Sequence, residues 1–153
     1  MLTTSETATA SAADPVALAN ELRPLLLQLN RHLRRELAPL GITGGQAALL
    51  HAIRTNPGFG IGDLARREGV SPPRVTAAVD RLEGMGLVRR ARSAVDRRRV
   101  QLEVTEEGLR VLRSARRRRT AWLAARVARL EPPDAQVLAA AVRPFRRLLE
   151  VAE

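Results

Sequence analysis

The sequence contains no cysteine, no tyrosine and no lysine, and its 153 residues include one tryptophan and two phenylalanines. Without cysteine there is no disulfide, no thiol redox sensor and no thiolate metal site. The histidines, His32 and His51, fall in separate helical stretches, a poor start for a zinc cluster. With no cysteine, lysine or tyrosine and two scattered histidines, the sequence shows no nucleophile–base pair or metal set, so an enzyme is not expected, nor any cofactor. No apolar run is long enough for a membrane span. The first residues, MLTTSETATASAAD, lack the basic start and apolar stretch of a signal peptide, which makes the cytoplasm the expected location.

What is present is leucine, alanine, valine and arginine. Apolar residues make up 45% of the chain, enough for one domain with a core. With aromatics at 2%, Leu, Val and Ala must supply the packing, and Leu and Ala favour helices. All 26 cationic side chains are arginine and the formal net charge is +10, which suits an anionic partner, nucleic acid or a membrane surface.

Residues 1–13 are small and polar without periodicity, and read as a disordered arm. Asp14 and Pro15 form a helix start, and Leu18, Leu22, Leu25, Leu29, Leu33 and Leu37 recur at helical spacing. Pro24 should kink or divide this helix, and Pro39-Leu40-Gly41 closes it. Thr43 and Gln46 suggest a capping box for a helix over 44–55. A short helix over 61–68 stops at Gly69. Ser71 and Pro72 open another, with Val75, Ala78, Val79, Leu82 and Met85 on its apolar face and Gly86 at its end. Residues 87–92 and 99–104 read as strands, with Val100, Leu102 and Val104 on one face of the second. Thr105 caps a long helix carrying Glu106 and Glu107 at its positive end. After Glu131-Pro132-Pro133 a last helix spans about 134–151, with a kink expected at Pro144.

The informative stretch is IGDLARREGVSPPRVTAAVDRLEGMGLVRR. A short helix, a tight glycine turn and a second helix make a helix-turn-helix, whose second helix enters the major groove start first. The residues nearest the bases would be Ser71, Pro72, Pro73, Arg74 and Thr76. Ser71 can bond a phosphate while capping, and Arg74 can reach a guanine edge bidentately. The two prolines remove two backbone donors that would otherwise face a phosphate. In the loop SAVDRRR, Asp96, Arg97, Arg98 and Arg99 lie near the tip, where an arginine suits a narrow minor groove. Asp96 is expected to pair with a neighbouring arginine and fix its direction.

The run from Gly41 to Gly108 resembles the MarR family. The residues that carry the resemblance are LARREGVS, VTAAVDRLE, the Gly86-Leu87-Val88 step before the hairpin, Asp96-Arg97-Arg98 within it and LEVTEEG after it. The resemblance implies a mainly α winged helix-turn-helix fold with a small β-hairpin wing, Arg98 entering the minor groove, and terminal helices that form a homodimer. It further implies a ligand cleft between that interface and the DNA-binding lobe. The chain then divides into an arm (1–13), a dimerisation helix (14–40), a DNA-binding lobe (41–104) and a linking and dimerisation segment (105–153). The expected function is a homodimeric transcription regulator, a repressor on a pseudo-palindromic double-stranded DNA operator, released by a small-molecule effector. A PadR-like regulator, or a ligand- or protein-binding module that no longer reads DNA, stands as the alternative. The family's Ser or Thr before the third helix is replaced by Gly60-Ile61-Gly62, and its Pro-containing wing turn by Ser93-Ala94-Val95. Three further features are read first as structural. Arg116 to Arg119 read as a solvated surface, with a secondary phosphate or acidic-ligand contact as the alternative; His51 as a packed or half-exposed side chain rather than a ligand contact; and Trp122 as core or dimer packing rather than ligand stacking.

Overall fold

The computed structural model describes residues 14–93, 96 and 98–150, so the arm expected over 1–13 and the side chain of Arg97 lie outside the described residues. Six α-helices and one hairpin follow in the order α1 (Pro15–Arg35), α2 (Gly44–Thr55), α3 (Ile61–Glu68), α4 (Pro72–Gly84), β1 (Val88–Arg92), β2 (Val100–Val104), α5 (Glu106–Val127) and α6 (Pro132–Glu150).

Side-chain caps set most helix starts. Asp14 accepts from the Val16 amide at 3.0 Å and opens α1. Thr43 and Gln46 form the full capping box of α2, with Gln46 N–H on Thr43 Oγ1 at 3.2 Å and Thr43 N–H on Gln46 Oε1 at 2.7 Å. Thr105 caps Gly108 at 3.1 Å while its own hydroxyl donates to the Gly86 carbonyl at 2.6 Å, tying the start of α5 to the end of the α4 turn.

Pro24 does not divide α1, and Pro144 does not divide α6. Both helices are solvent-facing along their length, so water can take the carbonyl that each proline leaves without its donor. The last helix starts at Pro132, earlier than the expected 134, because proline is well suited to the first helical turn.

The core lies in the α2–α3–α4–hairpin unit, where Leu50, Leu64, Leu82, Leu102, Val79 and Val88 are fully buried, with Leu37 from the segment after α1 and Ala115 of α5 packed into it. Each such leucine or valine contributes about 1.5–3 kcal/mol by leaving water. The strands are antiparallel, with Val88 opposite Val104 and Arg90 opposite Leu102. Of the expected inner face of β2, Leu102 is buried and Val104 packs against the core, but Val100 is exposed because it lies past the core edge toward the loop.

Neither α1 nor α6 buries a single residue. Val16, Leu18, Leu25, Leu26, Leu27 and Leu29 of α1 stay exposed, as do Val137, Leu138, Val142, Leu148 and Leu149 of α6.

Candidate nucleic-acid interface

Helix α4 is anchored by Val75, Val79 and Leu82, one buried stripe at helical spacing. That stripe turns Pro73, Arg74, Ala77, Asp80 and Arg81 to solvent. The turn into α4 is made by Gly69 at φ 63°, a conformation natural to glycine, with the Val70 amide closing back on Ala65 O at 3.0 Å.

The start of α4 differs from expectation in one respect. Ser71 sits at the N-cap position but makes no side-chain cap bond. With Pro72 and Pro73 lacking N–H groups, the next two amides, Arg74 and Val75, both turn back on Ser71 O at 3.1 and 3.3 Å. The first helical turn therefore has no spare backbone donor, and a phosphate there can be held only by side chains. The Thr76 hydroxyl donates to Pro72 O at 3.0 Å, which leaves it as an acceptor and a methyl surface. Arg74 is exposed with no acidic partner among the described residues.

In the wing, structure separates the arginines into two groups. Arg89 is held across the strands by Glu103 at 2.6 Å. Arg90 bridges Asp80, at 2.7 Å, and Glu83, which locks the second half of α4 to β1. The Asp80 carboxylate first, with Glu83 in support, raises the Arg90 pKa above its ordinary value. The Glu103 pKa is lowered by the Gln101 amide and then by Arg89. Arg99 bonds Asp63 of α3 at 2.8 Å. Arg92 and Arg98, in contrast, are exposed and have no acidic partner among the described residues.

Among the described residues the bonds of Asp96 are to the loop itself, and the neighbouring Arg97, a candidate for the expected ion pair, lies outside them. The Asp96 carboxylate accepts from the Arg98 amide at 3.0 Å, its own amide donates to Ser93 Oγ at 3.3 Å, and its carbonyl accepts from the Arg99 amide at 2.9 Å. A short acid can close such a turn on itself, so Asp96 sets the loop path and leaves the Arg98 side chain outside.

Asp63 was not singled out by the sequence, although its place three residues after Gly60 is the reciprocal position of a capping box. Its Oδ2 accepts from the Gly60 amide at 3.0 Å as well as from Arg99. Its pKa is lowered chiefly by that backbone N–H; desolvation opposes the shift, and Arg99 and Arg66 add to the lowering. Gly60 itself has a steric reason: a Cβ there would sit 2.7 Å from the Val100 carbonyl oxygen. The wing strand passes too close for the Ser or Thr that the family resemblance led one to expect. Asp80, Glu83 and Arg90 were also missed, and Arg99, noted near the loop tip, was not foreseen as the partner of Asp63.

On another side of the molecule, α1, α2 and α5 line an open cleft of about 710 Å³, with Arg34, His51, Arg54, Arg113, Arg116 and Arg119 on its walls, among others. His51 is exposed and lies on its wall rather than packed away. The Arg116–Arg119 run is not wholly solvated: Arg118 donates through Nε to Glu36 O at 2.9 Å and Arg119 through Nε to Leu33 O at 3.4 Å. These two close the carbonyl end of α1, an N–H demand that helix termini create. Trp122 stacks on His32 with ring centroids 5.3 Å apart and carries Arg126 3.5 Å above its ring. Among the described residues, no helix is long and apolar enough to cross a membrane.

Residues 40–99 match the MarR family. An uncharacterised HTH-type transcriptional regulator of Mycobacterium bovis is 34% identical over 124 residues, covering 81% of this chain and 87% of that protein. A putative transcriptional regulator of Pseudomonas aeruginosa superposes with a TM-score of 0.78 at 30% identity, over 90% of this chain and 97% of the other. A variant of S. aureus MepR bound to an oligodeoxyribonucleotide shares the fold, with a TM-score of 0.67 at 19% identity over 86% of this chain and 97% of that one.

Proposed function

The chain belongs to the MarR family of winged helix-turn-helix transcription regulators, and we propose that it acts as a homodimeric repressor on a pseudo-palindromic operator. In this reading the start of α4 enters the major groove. Arg74 contacts a base edge, Ser71 a phosphate, and Pro72, Pro73 and Thr76 pack against the sugar and base surface. The wing follows the backbone outward and Arg98 enters the minor groove, with Arg97 and Arg92 near phosphates and Asp96 holding the loop.

The observation that carries this reading is the sorting of the arginines. Arg89, Arg90 and Arg99 are bound to acids, whereas Arg74, Arg92 and Arg98 are exposed and unpaired among the described residues. The paired set builds a rigid frame and the unpaired set supplies charge to a ligand. Selection of binding sites from random duplex DNA, followed by affinity measurement at fixed salt, tests it. A two-fold symmetric site is the expected result, and no enrichment would refute the operator reading.

Two further parts of the reading concern assembly and control. The exposed leucines and valines of α1 and α6 form stripes that no part of the described chain covers, and a second copy would bury both by a two-fold contact. Such a dimer spaces its two α4 helices to match half-sites one helical turn apart. The cleft between α1, α2 and α5 adjoins both the helix expected to dimerise and the DNA-binding unit. An effector seated there would change the spacing of the two α4 helices and release the operator. The cytoplasm, where the DNA lies, is the proposed place of action.

A further inference from the structure

We propose that the α1–α2–α5 cleft takes a compact polyanion, a small molecule bearing two or more carboxylate or phosphate groups. The proposal rests on the effector reading above and gives that effector a chemical class. Three helices each bring guanidinium groups to the cleft: Arg34 from α1, Arg54 from α2, and Arg113, Arg116 and Arg119 from α5. No aspartate or glutamate lines it. Among the described residues Arg34, Arg54, Arg113 and Arg116 form no ion pair, and Arg119 makes no ion pair either, using Nε alone on the Leu33 carbonyl.

This is unlike the DNA-binding lobe, where Arg89, Arg90 and Arg99 have each been given a carboxylate. A solvated arginine face would need no concavity and no convergence of three helices. Here like charges are gathered in a recess, which disfavours the folded state unless a counter-charge arrives. The start of α2 adds to the same field. Arg34 Nε lies 2.5 Å from where a Cβ on Gly44 would be, so glycine at the first residue of α2 lets a guanidinium rest on that helix end.

The lining favours charge over apolar stacking. It contains no Phe, Trp or Tyr and its one ring is His51, so a ligand with a single anionic group on an aromatic ring leaves most of the guanidinium forks unfilled. Guanidinium forks match carboxylate and phosphate oxygens two at a time, and several converging forks favour a ligand with several anionic groups. A volume of about 710 Å³ suits one small metabolite rather than a peptide or nucleic acid.

The test uses the full-length, DNA-free protein at ionic strength held constant with chloride. Citrate, inorganic pyrophosphate and benzoate are titrated by calorimetry, and melting temperature is followed in parallel. Citrate or pyrophosphate should bind once per protomer and raise the melting temperature, and whichever binds more tightly identifies carboxylate or phosphate chemistry. Benzoate should not bind. The double variant Arg113→Gln, Arg116→Gln should lose about tenfold or more in affinity, as expected for two charge-assisted hydrogen bonds. Arg117→Gln should bind like the parent, since Arg117 is exposed on the same helix but does not line the cleft. If the first double variant does not fold, Arg34→Gln with Arg54→Gln makes the same demand from the other two helices. Absence of binding by both polyanions, equal loss in Arg117→Gln, or tight benzoate binding would overturn the proposal. Loss of operator binding with polyanion binding intact would instead refute the operator reading alone.

Discussion

Asp63 and Arg99 meet at 2.8 Å, a side-chain contact that, beside the Leu102 amide's bond to the Phe59 carbonyl at 2.9 Å, fastens the start of the helix-turn-helix to the foot of the wing. The same carboxylate accepts the Gly60 amide at 3.0 Å, so one side chain both begins α3 and sets where the hairpin emerges. Because the Asp63 pKa is depressed in the folded protein, its stabilising contribution is present above the usual carboxylate range and is lost as pH falls through the depressed value. Asp63→Ala should therefore lower the melting temperature at neutral pH and flatten the acid limb of the stability profile. Arg99→Ala should produce part of the same change. Thermal melts from pH 7 down to pH 2 check this, and parallel acid limbs in parent and Asp63→Ala would contradict it.

Two glycines at the start of α3 should respond in opposite directions. Gly60→Ser forces a Cβ against the Val100 carbonyl oxygen, an overpacking that costs about 1–3 kcal/mol. A Cβ added at Gly62 would meet nothing within 4 Å, and the residue sits inside the helix, so Gly62→Ala should stabilise by about 0.5–1 kcal/mol. Chemical denaturation of both variants separates the outcomes.

The exposed stripe of α6 should hold the dimer together. Val142→Glu combined with Leu149→Glu puts two charges among side chains that are 57% and 77% exposed in the single chain. Sedimentation should show a shift to monomer, and operator affinity should fall with it, since dimer and folded state are linked through protomer concentration. A stable dimer carrying both charges would place the interface elsewhere.

Much of this architecture could be read from local chemistry. Thr43 and Gln46 announced the start of α2, Gly69 and Pro72 the turn into α4, and the alternation around Leu102 a strand, because caps, turns and periodicity involve residues close in sequence. The contacts that were missed are between distant residues. Asp80 and Glu83 look like solvated helix charges until Arg90 is folded beside them, and Arg118 looks solvated until α1 ends against it. Asp96 stood out in the sequence as a residue that fixes the loop; that it does so by accepting from the Arg98 amide depends on a loop path that composition does not specify.

Operator binding should be strongly salt-dependent. If each protomer neutralises roughly four phosphates, log K against log salt should fall with a slope of about −7 for the dimer. Arg92→Ala should reduce the slope's magnitude by about 1–2, one phosphate contact per protomer, without changing the preferred sequence. Fluorescence anisotropy across a salt series measures both.

The division of work between Arg74 and Arg98 is tested most directly by repeating site selection and affinity measurement with each alanine variant. Arg74→Ala should cost about 1–3 kcal/mol per half-site and relax preference at one base pair in each half. Arg98→Ala should weaken binding while altering preference mainly at flanking A·T-rich positions, and Asp96→Ala should do the same more mildly. All three should melt close to the parent, because these side chains are exposed. Parent-like affinity and site preference in Arg74→Ala, or parent-like affinity in Arg98→Ala at physiological salt, would contradict the account.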